Sequence, residues 1–253
     1  MRNQVVKMEE PIVSIIIATF NSESCIREAL ESVYNITLRN WECVIVDGAS
    51  SDNTVQIIKE YELKDNRFRH ISEKDNGIYD AFNKGWKLAK GEWLYYLGSD
   101  DKLMPDALSS LISSCGKASI VYGDMEYNTG LRIITKKSIP ETSLLGNMPC
   151  HQSMIMKREL MECLDGFDLN RYKICADFDL FQRALNCGIT VKYVNNVVVA
   201  CFNSLGTSSG ILHYLKECYT IKRKYRGGLF AIWYVLREGI KRCLKTVVYK
   251  FAN

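Results

Sequence analysis

Apolar and polar positions along this chain switch between a strand pattern and a helix pattern. Residues 12–18 are a continuous apolar, β-branched run, the pattern of a strand buried on both faces. Residues 22–34 follow with helical spacing. Residues 42–47 predict a second buried strand ended by Gly48, residues 51–63 a second helix, and residues 67–72 a third strand. Over residues 78–90, Ile78, Phe82, Trp86 and Ala89 stack on one helical face, and residues 93–97 predict a fourth strand. This alternation predicts an α/β fold, with a mostly parallel central sheet flanked by helices on both faces.

The second half is patterned differently. Residues 119–124, 126–135 and 190–202 are strand-like, with Asn128-Thr129-Gly130 as a hairpin turn. Helices are expected over 157–163 and 177–186, and two more after Ser209, separated by Gly227-Gly228. At 253 residues and 47% hydrophobic composition there is material for one large domain with an appendage. The expected division is a tail over residues 1–10, a domain over 11–210 and a helical extension over 211–253.

Charge singles out that extension. From His213 to Asn253 ten Lys and Arg face two acids, a balance of +8, so the rest of a chain with net charge +4 carries −4. Leu229, Trp233, Leu236, Ile240, Leu244, Val247 and Phe251 recur at three- and four-residue spacing, with Arg237, Lys241, Arg242 and Lys245 between them. The uncharged stretch over 229–236 is too short to span a bilayer. Two readings fit: a basic amphipathic helix lying on a membrane surface, or a helix packed on protein. Nucleic acid is disfavoured as the anionic partner, because no reading motif accompanies the basic charge. Ten cysteines form no C-x-x-C pair and have no metal-ligand spacing, and residues 1–11 lack the pattern of a cleavable signal. They read as reduced thiols in a cytoplasmic protein.

Ligands of an open parallel sheet bind beyond the carboxyl ends of its strands. Here the first strand ends in Thr19-Phe20-Asn21, the second in Asp47-Gly48-Ala49-Ser50-Ser51-Asp52, and the fourth in Gly98-Ser99-Asp100-Asp101. Adjacent carboxylates repel unless a cation or donors offset the charge, so Asp100-Asp101 suits Mg²⁺ or Mn²⁺ completed by substrate phosphates. The competing reading is a helix N-cap ahead of Pro105. Asp47 fits either a base or ribose contact or an Asx-turn, and Phe20 either a nucleobase contact or the core. Neither G-x-G-x-x-G nor G-x-x-x-x-G-K-[ST] follows the first strand, which disfavours a dinucleotide fold and a P-loop.

With these strand ends in place, five segments resemble family 2 of the GT-A glycosyltransferases, bacterial non-processive, surface-polysaccharide members especially. They are SIIIATFNSE, VIVDGASSDNT, SEKDNGIYDAFNKGWKLAKGEWLYYLGSDD, CHQSMIMKREL and CADFDLFQRAL, in the expected order. The resemblance implies a GT-A (Rossmann-like) sheet and an inverting transfer of a sugar from a nucleotide-diphosphate donor, a UDP-hexose or UDP-N-acetylhexosamine. It implies an acceptor sugar hydroxyl on a polyprenyl-diphosphate lipid, reached by an enzyme peripheral on the inner face of the cell membrane. Thr19, Phe20 and Asn21 would line the nucleoside pocket and Asp47 would hold the base. Asp75, Asp80 and Asn83 would shape the floor near the sugar-diphosphate. Asp101 would hold Mn²⁺ or Mg²⁺, with Asp100 at the metal or ribose. His151 and Gln152 match a pair near the active site, and Asp177 matches the catalytic carboxylate. By spacing alone His151 also fits a satisfied core histidine, Asp177 an N-cap, and Asp179 a surface or capping acid. Three departures from the family stand out: Ala18 replaces a frequent Pro, Ala176 a frequent Glu, and Gly98 the leading Asp of the metal motif. Loss of these acids leaves a catalytically inactive nucleotide-sugar-binding or scaffold protein as the alternative.

Overall fold

The computed structural model describes residues 10–203 and 211–251, without the side chains of residues 211 and 241–251. The first nine residues of the predicted tail and the predicted boundary at residue 210 lie outside the described residues, as do the side chains of the last turns of the amphipathic stripe. The expected alternation is present: β1 (Val13–Thr19), α1 (Ile26–Tyr34), β2 (Trp41–Asp47), α2 (Thr54–Lys64), β3 (Phe68–Ser72), α3 (Ile78–Leu88) and β4 (Trp93–Gly98). Then come β5 (Lys102–Leu103), α4 (Ala107–Ser114), β6 (Ile120–Asn128), β7 (Ile133–Lys136), β8 (Met154–Lys157), α5 (Arg158–Cys163), α6 (Ala176–Asn186), β9 (Val191–Asn203), α7 (Ile211–Arg226) and α8 (Gly228–Phe251).

All described strands join one sheet in the order β3-β2-β1-β4-β8-β6-β9-β5, with β7 on β6. β1 pairs in parallel with β2 and β4, and β2 with β3. β8 is antiparallel to both β4 and β6, so β6 and its parallel partner β9 run in the same direction as β1. Every residue of β1 and β2 is buried, as their unbroken apolar runs require. Successive side chains serve opposite layers. Ile15 and Ile17 pack with Leu30, Ile58 and Leu108 of α1, α2 and α4. Ile16 packs with Phe82, Trp86 and Phe181 of α3 and α6, and Ile221 of α7 joins that layer.

The structure departs from expectation in places where periodicity carries little information. α1 starts at Ile26 because the Ser22 and Cys25 amides are drawn into a turn, on Thr54 Oγ1 and the Ser22 carbonyl. The stretch expected as two strands over 119–135 is the long β6, a hairpin turn and the short β7. β5 and β8 were not expected; they are too short to show a period. No described helix is long and apolar enough to cross a membrane.

At the end of the sheet away from those carboxyl edges, buried Glu42 gathers the Ser14 hydroxyl (2.6 Å), the Lys90 amide and the Arg69 guanidinium (3.0 Å). Burial alone would raise its carboxyl, but these donors outweigh it and hold it below its ordinary range. The Gly91 amide completes the knot on Ser14 Oγ (2.8 Å). A Cβ on Gly91 would stand 2.6 Å from the Ser14 amide nitrogen and 2.8 Å from the Val13 carbonyl carbon, both main-chain atoms. Gly91→Ala is therefore expected to cost about 1–3 kcal/mol, as overpacking does, seen as a lower urea midpoint at unchanged slope. An unchanged midpoint would show that β1 and the α3–β4 turn can part without cost.

Candidate functional site

Parallel register decides what meets at the carboxyl edge. Thr19 of β1 is level with Asp47 of β2, and Ala18 with Gly98 of β4. The loops beyond are tied together. The Asn21 amide donates to Ser50 Oγ (2.8 Å), and the Ser51 amide donates to Asn21 Oδ1 (2.9 Å). Asn21 and Ala49 both take positive φ, 47° and 63°. Asp47 is fully buried beneath this loop and accepts from the Ser50 amide (3.0 Å), the Ser50 hydroxyl and the Ser72 hydroxyl (2.6 Å). That is the Asx-type arrangement; Asp47 does not line the cavity above it.

That cavity, about 670 Å³, is walled by Thr19, Phe20, Asn21, Asp75, Asp100 and Asp101, with Gln152 and the β9 end, Phe202 and Asn203. Phe20 is 60% exposed, so its ring belongs to the cavity and not to the core. Asp75 is fixed by the Gly77 amide (2.9 Å). Asp80 and Asn83 lie elsewhere. Asp80 caps the Asn76 amide (2.9 Å), and Asn83 clasps both main-chain groups of Phe167 and the Trp86 indole.

Asp101 is 1% exposed. Its Oδ1 accepts the Asn203 amide (2.9 Å) and its Oδ2 the Gln152 amide group (3.3 Å). Burial, with the Asp100 charge beside it, pushes its carboxyl up to about 6. The pair does not cap a helix: α4 starts at Ala107, with Asp106 at the cap position. The glycine at 98 also has a reason. A Cβ there would lie 2.4 Å from Asp101 Oδ2, so the folded-in carboxylate occupies the space a larger residue would need.

A second cavity, about 450 Å³, adjoins the first. The two share Ile78, Gly98, Gln152 and Phe202. Its wall carries Asp177, His151 and a set of rings: Tyr79, Phe82, Tyr96, Tyr127 and Tyr214. Asp177 sits in the first turn of α6, one residue inside the helix, whose cap position is Cys175. Its Oδ1 accepts the Tyr79 hydroxyl (2.9 Å) and the Phe178 amide (2.8 Å). Among the described residues its Oδ2 takes no hydrogen bond. The His151 ring stacks on Tyr96 at 5.0 Å between centroids. Burial lowers its pKa and favours the neutral imidazole, while the Asp177 charge pulls the other way. Three buried polar atoms on these walls have no partner among the described residues: Thr19 Oγ1, Tyr96 Oη and His151 Nε2. Such atoms cost about 1–3 kcal/mol each if left unsatisfied, and a ligand's hydroxyls or oxygens would supply what they lack. Asp179 is not a surface acid. It is buried and paired with Arg183 (2.7 Å), which in turn holds the Leu164 and Gly166 carbonyls.

Sequence reasoning missed Tyr79, Tyr96, Tyr127, Phe202, Asn203 and Tyr214. Phe202 and Asn203 obey the strand-end rule, since β9 runs parallel to β6, but nothing in the chain announces that β9 lies there. A further depression between α1 and α2 is lined by Arg27, Glu31, Glu60 and Lys64, with Lys102 of β5 at its margin.

Comparison with known proteins places the family and the fold. Residues 14–166 match the family model Glycosyl transferase family 2. A PGL/p-HBAD biosynthesis glycosyltransferase of Mycobacterium bovis is 32% identical over 212 residues, which cover 81% of this chain and 82% of that protein. Among solved structures, Staphylococcus aureus TarS in complex with UDP has TM-score 0.67 at 22% identity, over 85% of this chain and 66% of that one. Mannosyltransferase PcManGT from Pyrobaculum calidifontis, in complex with GDP-Man and Mn²⁺, has TM-score 0.70 at 18% identity, over 90% and 70%. At these identities the two structures establish the GT-A fold alone.

The buried state of Asp101 has a measurable cost. An acid whose folded pKa is raised binds its proton more tightly when folded, so this group's contribution to stability falls as pH rises from about 4 to about 6 and stays low above. With chelator present, Asp101→Asn is expected to match wild type near pH 4 and to exceed it by about 2–3 kcal/mol above pH 6.5, from 1.36 kcal/mol per pKa unit. Equal stability of the two proteins at pH 7.5 in denaturant titrations would show that the carboxylate is not strained there.

Proposed function

The chain belongs to glycosyl transferase family 2, and on that footing we propose that it transfers a hexose or N-acetylhexosamine from a UDP-sugar to an acceptor sugar hydroxyl, inverting the anomeric carbon. The observation that carries this reading is the junction of the two cavities. A sugar placed at Gly98, Gln152, Ile78 and Phe202 would have the Asp100-Asp101 pair on its nucleotide side and Asp177 on the other.

The larger cavity takes the nucleotide. Phe20 offers a ring face to the base, Asp47 orders the loop beneath it, and Thr19 Oγ1 offers an unpaired hydroxyl. The donor set fits Mn²⁺ or Mg²⁺. Asp101 and its neighbour Asp100 are hard oxygen ligands, and no group of three His, Cys, Asp or Glu among the described residues forms a closed metal cage. An ion held by one or two carboxylates and completed by the donor's phosphates and water suits that arrangement. When bound, the ion supplies positive charge against the departing diphosphate.

Asp177 is the base. Its Oδ2 takes the proton of the acceptor hydroxyl as that oxygen bonds to the anomeric carbon, and the bond to the diphosphate oxygen breaks with its electron pair leaving on UDP. One displacement inverts the configuration, so an α-linked donor gives a β-linked product. The second cavity holds the acceptor ring against its aromatic wall, and neutral His151 is placed to exchange a hydrogen bond with the sugar or its phosphate.

Purified protein with Mn²⁺ or Mg²⁺ and a panel of UDP-, GDP- and TDP-sugars should release nucleoside diphosphate from UDP donors, and chelator or Asp101→Ala should abolish it. Asp177→Asn should lower kcat by about 10²–10⁴-fold at unchanged donor KM, the range for loss of a general base. Turnover by Asp177→Asn at the wild-type rate would refute the mechanism.

We further propose a lipid-diphosphate-linked acceptor and a peripheral position on the cytoplasmic face of the membrane. Support comes from α8, where Leu229, Leu236 and Ile240 are 88%, 62% and 60% exposed beside half-exposed Trp233, with the Arg237 guanidinium over the indole (5.3 Å). Full-length protein should sediment with anionic vesicles, and a chain lacking residues 228–253 should not. Equal sedimentation of both would assign that face to protein contact instead.

A further inference from the structure

Helix α7 holds the loop that leads to Asp177 through the buried carboxylate of Glu217. Glu217 is 8% exposed and accepts three successive main-chain amides, from Lys173 (3.0 Å), Ile174 (3.0 Å) and Cys175 (2.8 Å). These residues immediately precede α6, whose second residue is Asp177. On the other side of the same loop the Tyr79 hydroxyl lies between the Ile174 carbonyl (2.8 Å) and Asp177 Oδ1 (2.9 Å). The loop is thus gripped from α7 by a carboxylate and from α3 by a phenol, with Asp177 at the end of both grips.

Packing alone does not call for this charge. α7 already docks through Cys218 and Ile221, both buried in the apolar layer it shares with α6. A buried carboxylate carries a desolvation cost that neutral contacts avoid, and it is tolerated where donors are fixed around it. Three convergent amides provide those donors, and in return the charge fixes the dihedrals of three residues in a row. Ala176, beside the base, is fully buried and has no functional group with which to hold its neighbour.

We propose that Glu217 is a positioning residue for Asp177: it freezes the loop over residues 173–175 so that the carboxylate of Asp177 is presented to the acceptor hydroxyl. This rests on the assignment of Asp177 as the base. The C-terminal extension then completes the transferase site as well as serving any docking role.

The test uses full-length Glu217→Gln and Glu217→Ala. Hydrogen exchange in peptides spanning residues 172–178 should accelerate by about tenfold or more in Glu217→Ala, with Glu217→Gln between it and wild type and the β1–β4 peptides unchanged. kcat should fall by about 10- to 100-fold at unchanged donor KM and unchanged UDP affinity, as misplacement of a catalytic group does. In an Asp177→Asn background, Glu217→Gln should cost nothing further. Unchanged exchange, or a loss of rate that simply multiplies that of Asp177→Asn, overturns the proposal. If wild type turns over no donor, the assignment of Asp177 fails; faster exchange would then leave Glu217 as a brace of the loop alone and overturn its positioning role.

Discussion

The parallel register of β1 with β2 and β4 is the constraint on which the rest depends. Thr19, Asp47 and Gly98 lie on neighbouring strands within one residue of the same level, so the three loops that follow open on one edge. A slip of one residue in β1 would turn Ile15 and Ile17 toward the layer that Ile16 fills and would pull Ser14 away from Glu42 and the Gly91 amide. The same register explains the choice of side chains at the edge. Asp101 can fold back into the site because Gly98 leaves it room, and Asp47 can brace two loops because it ends its strand directly beneath them.

The site keeps its chemical groups in states that favour a ligand. Asp101 is buried and reluctant to carry its charge, His151 is neutral, and Thr19, Tyr96 and His151 each hold an unsatisfied polar atom. These features cost stability: the hydrogen bonds from Asn203 and Gln152 offset the burial of Asp101 only in part, and the three polar atoms have no partner among the described residues. Under the proposed function, part of that cost would be recovered by the oxygens and cation that accompany a nucleotide-sugar donor. Asp177 stands apart. Tyr79 already holds it, and the loop before it is fastened to α7.

Much of the fold was legible because it follows from strong local patterns. The unbroken apolar runs at β1 and β2 and the helical stripe of Ile78, Phe82 and Trp86 specify a parallel half-sheet with little ambiguity. β8 and β5 were not legible, since four and two residues carry no period. The carboxylates of the site were legible through strand-end placement and motif resemblance. Spacing left Asp100-Asp101 and Asp177 open to an N-cap reading, and only the positions of Asp106 and Cys175 at the helix starts closed it. Asn83 and Asp80, drawn into the site by their motif, turn out to brace the main chain instead. The grip of Glu217 and the part of the aromatic wall given by Tyr214 and Phe202 were invisible, because they depend on how α7 and β9 return to the sheet, and no local pattern encodes that return.

The most direct test of the account is a Mn²⁺ titration followed by electron paramagnetic resonance, with and without UDP. The account predicts weak binding of the ion by the protein alone, tight binding when UDP is present, and loss of the tight site in Asp101→Asn. Tight binding that is indifferent to UDP, or that survives Asp101→Asn, would contradict the placement of a metal-assisted nucleotide-sugar site at the carboxyl edge of this sheet.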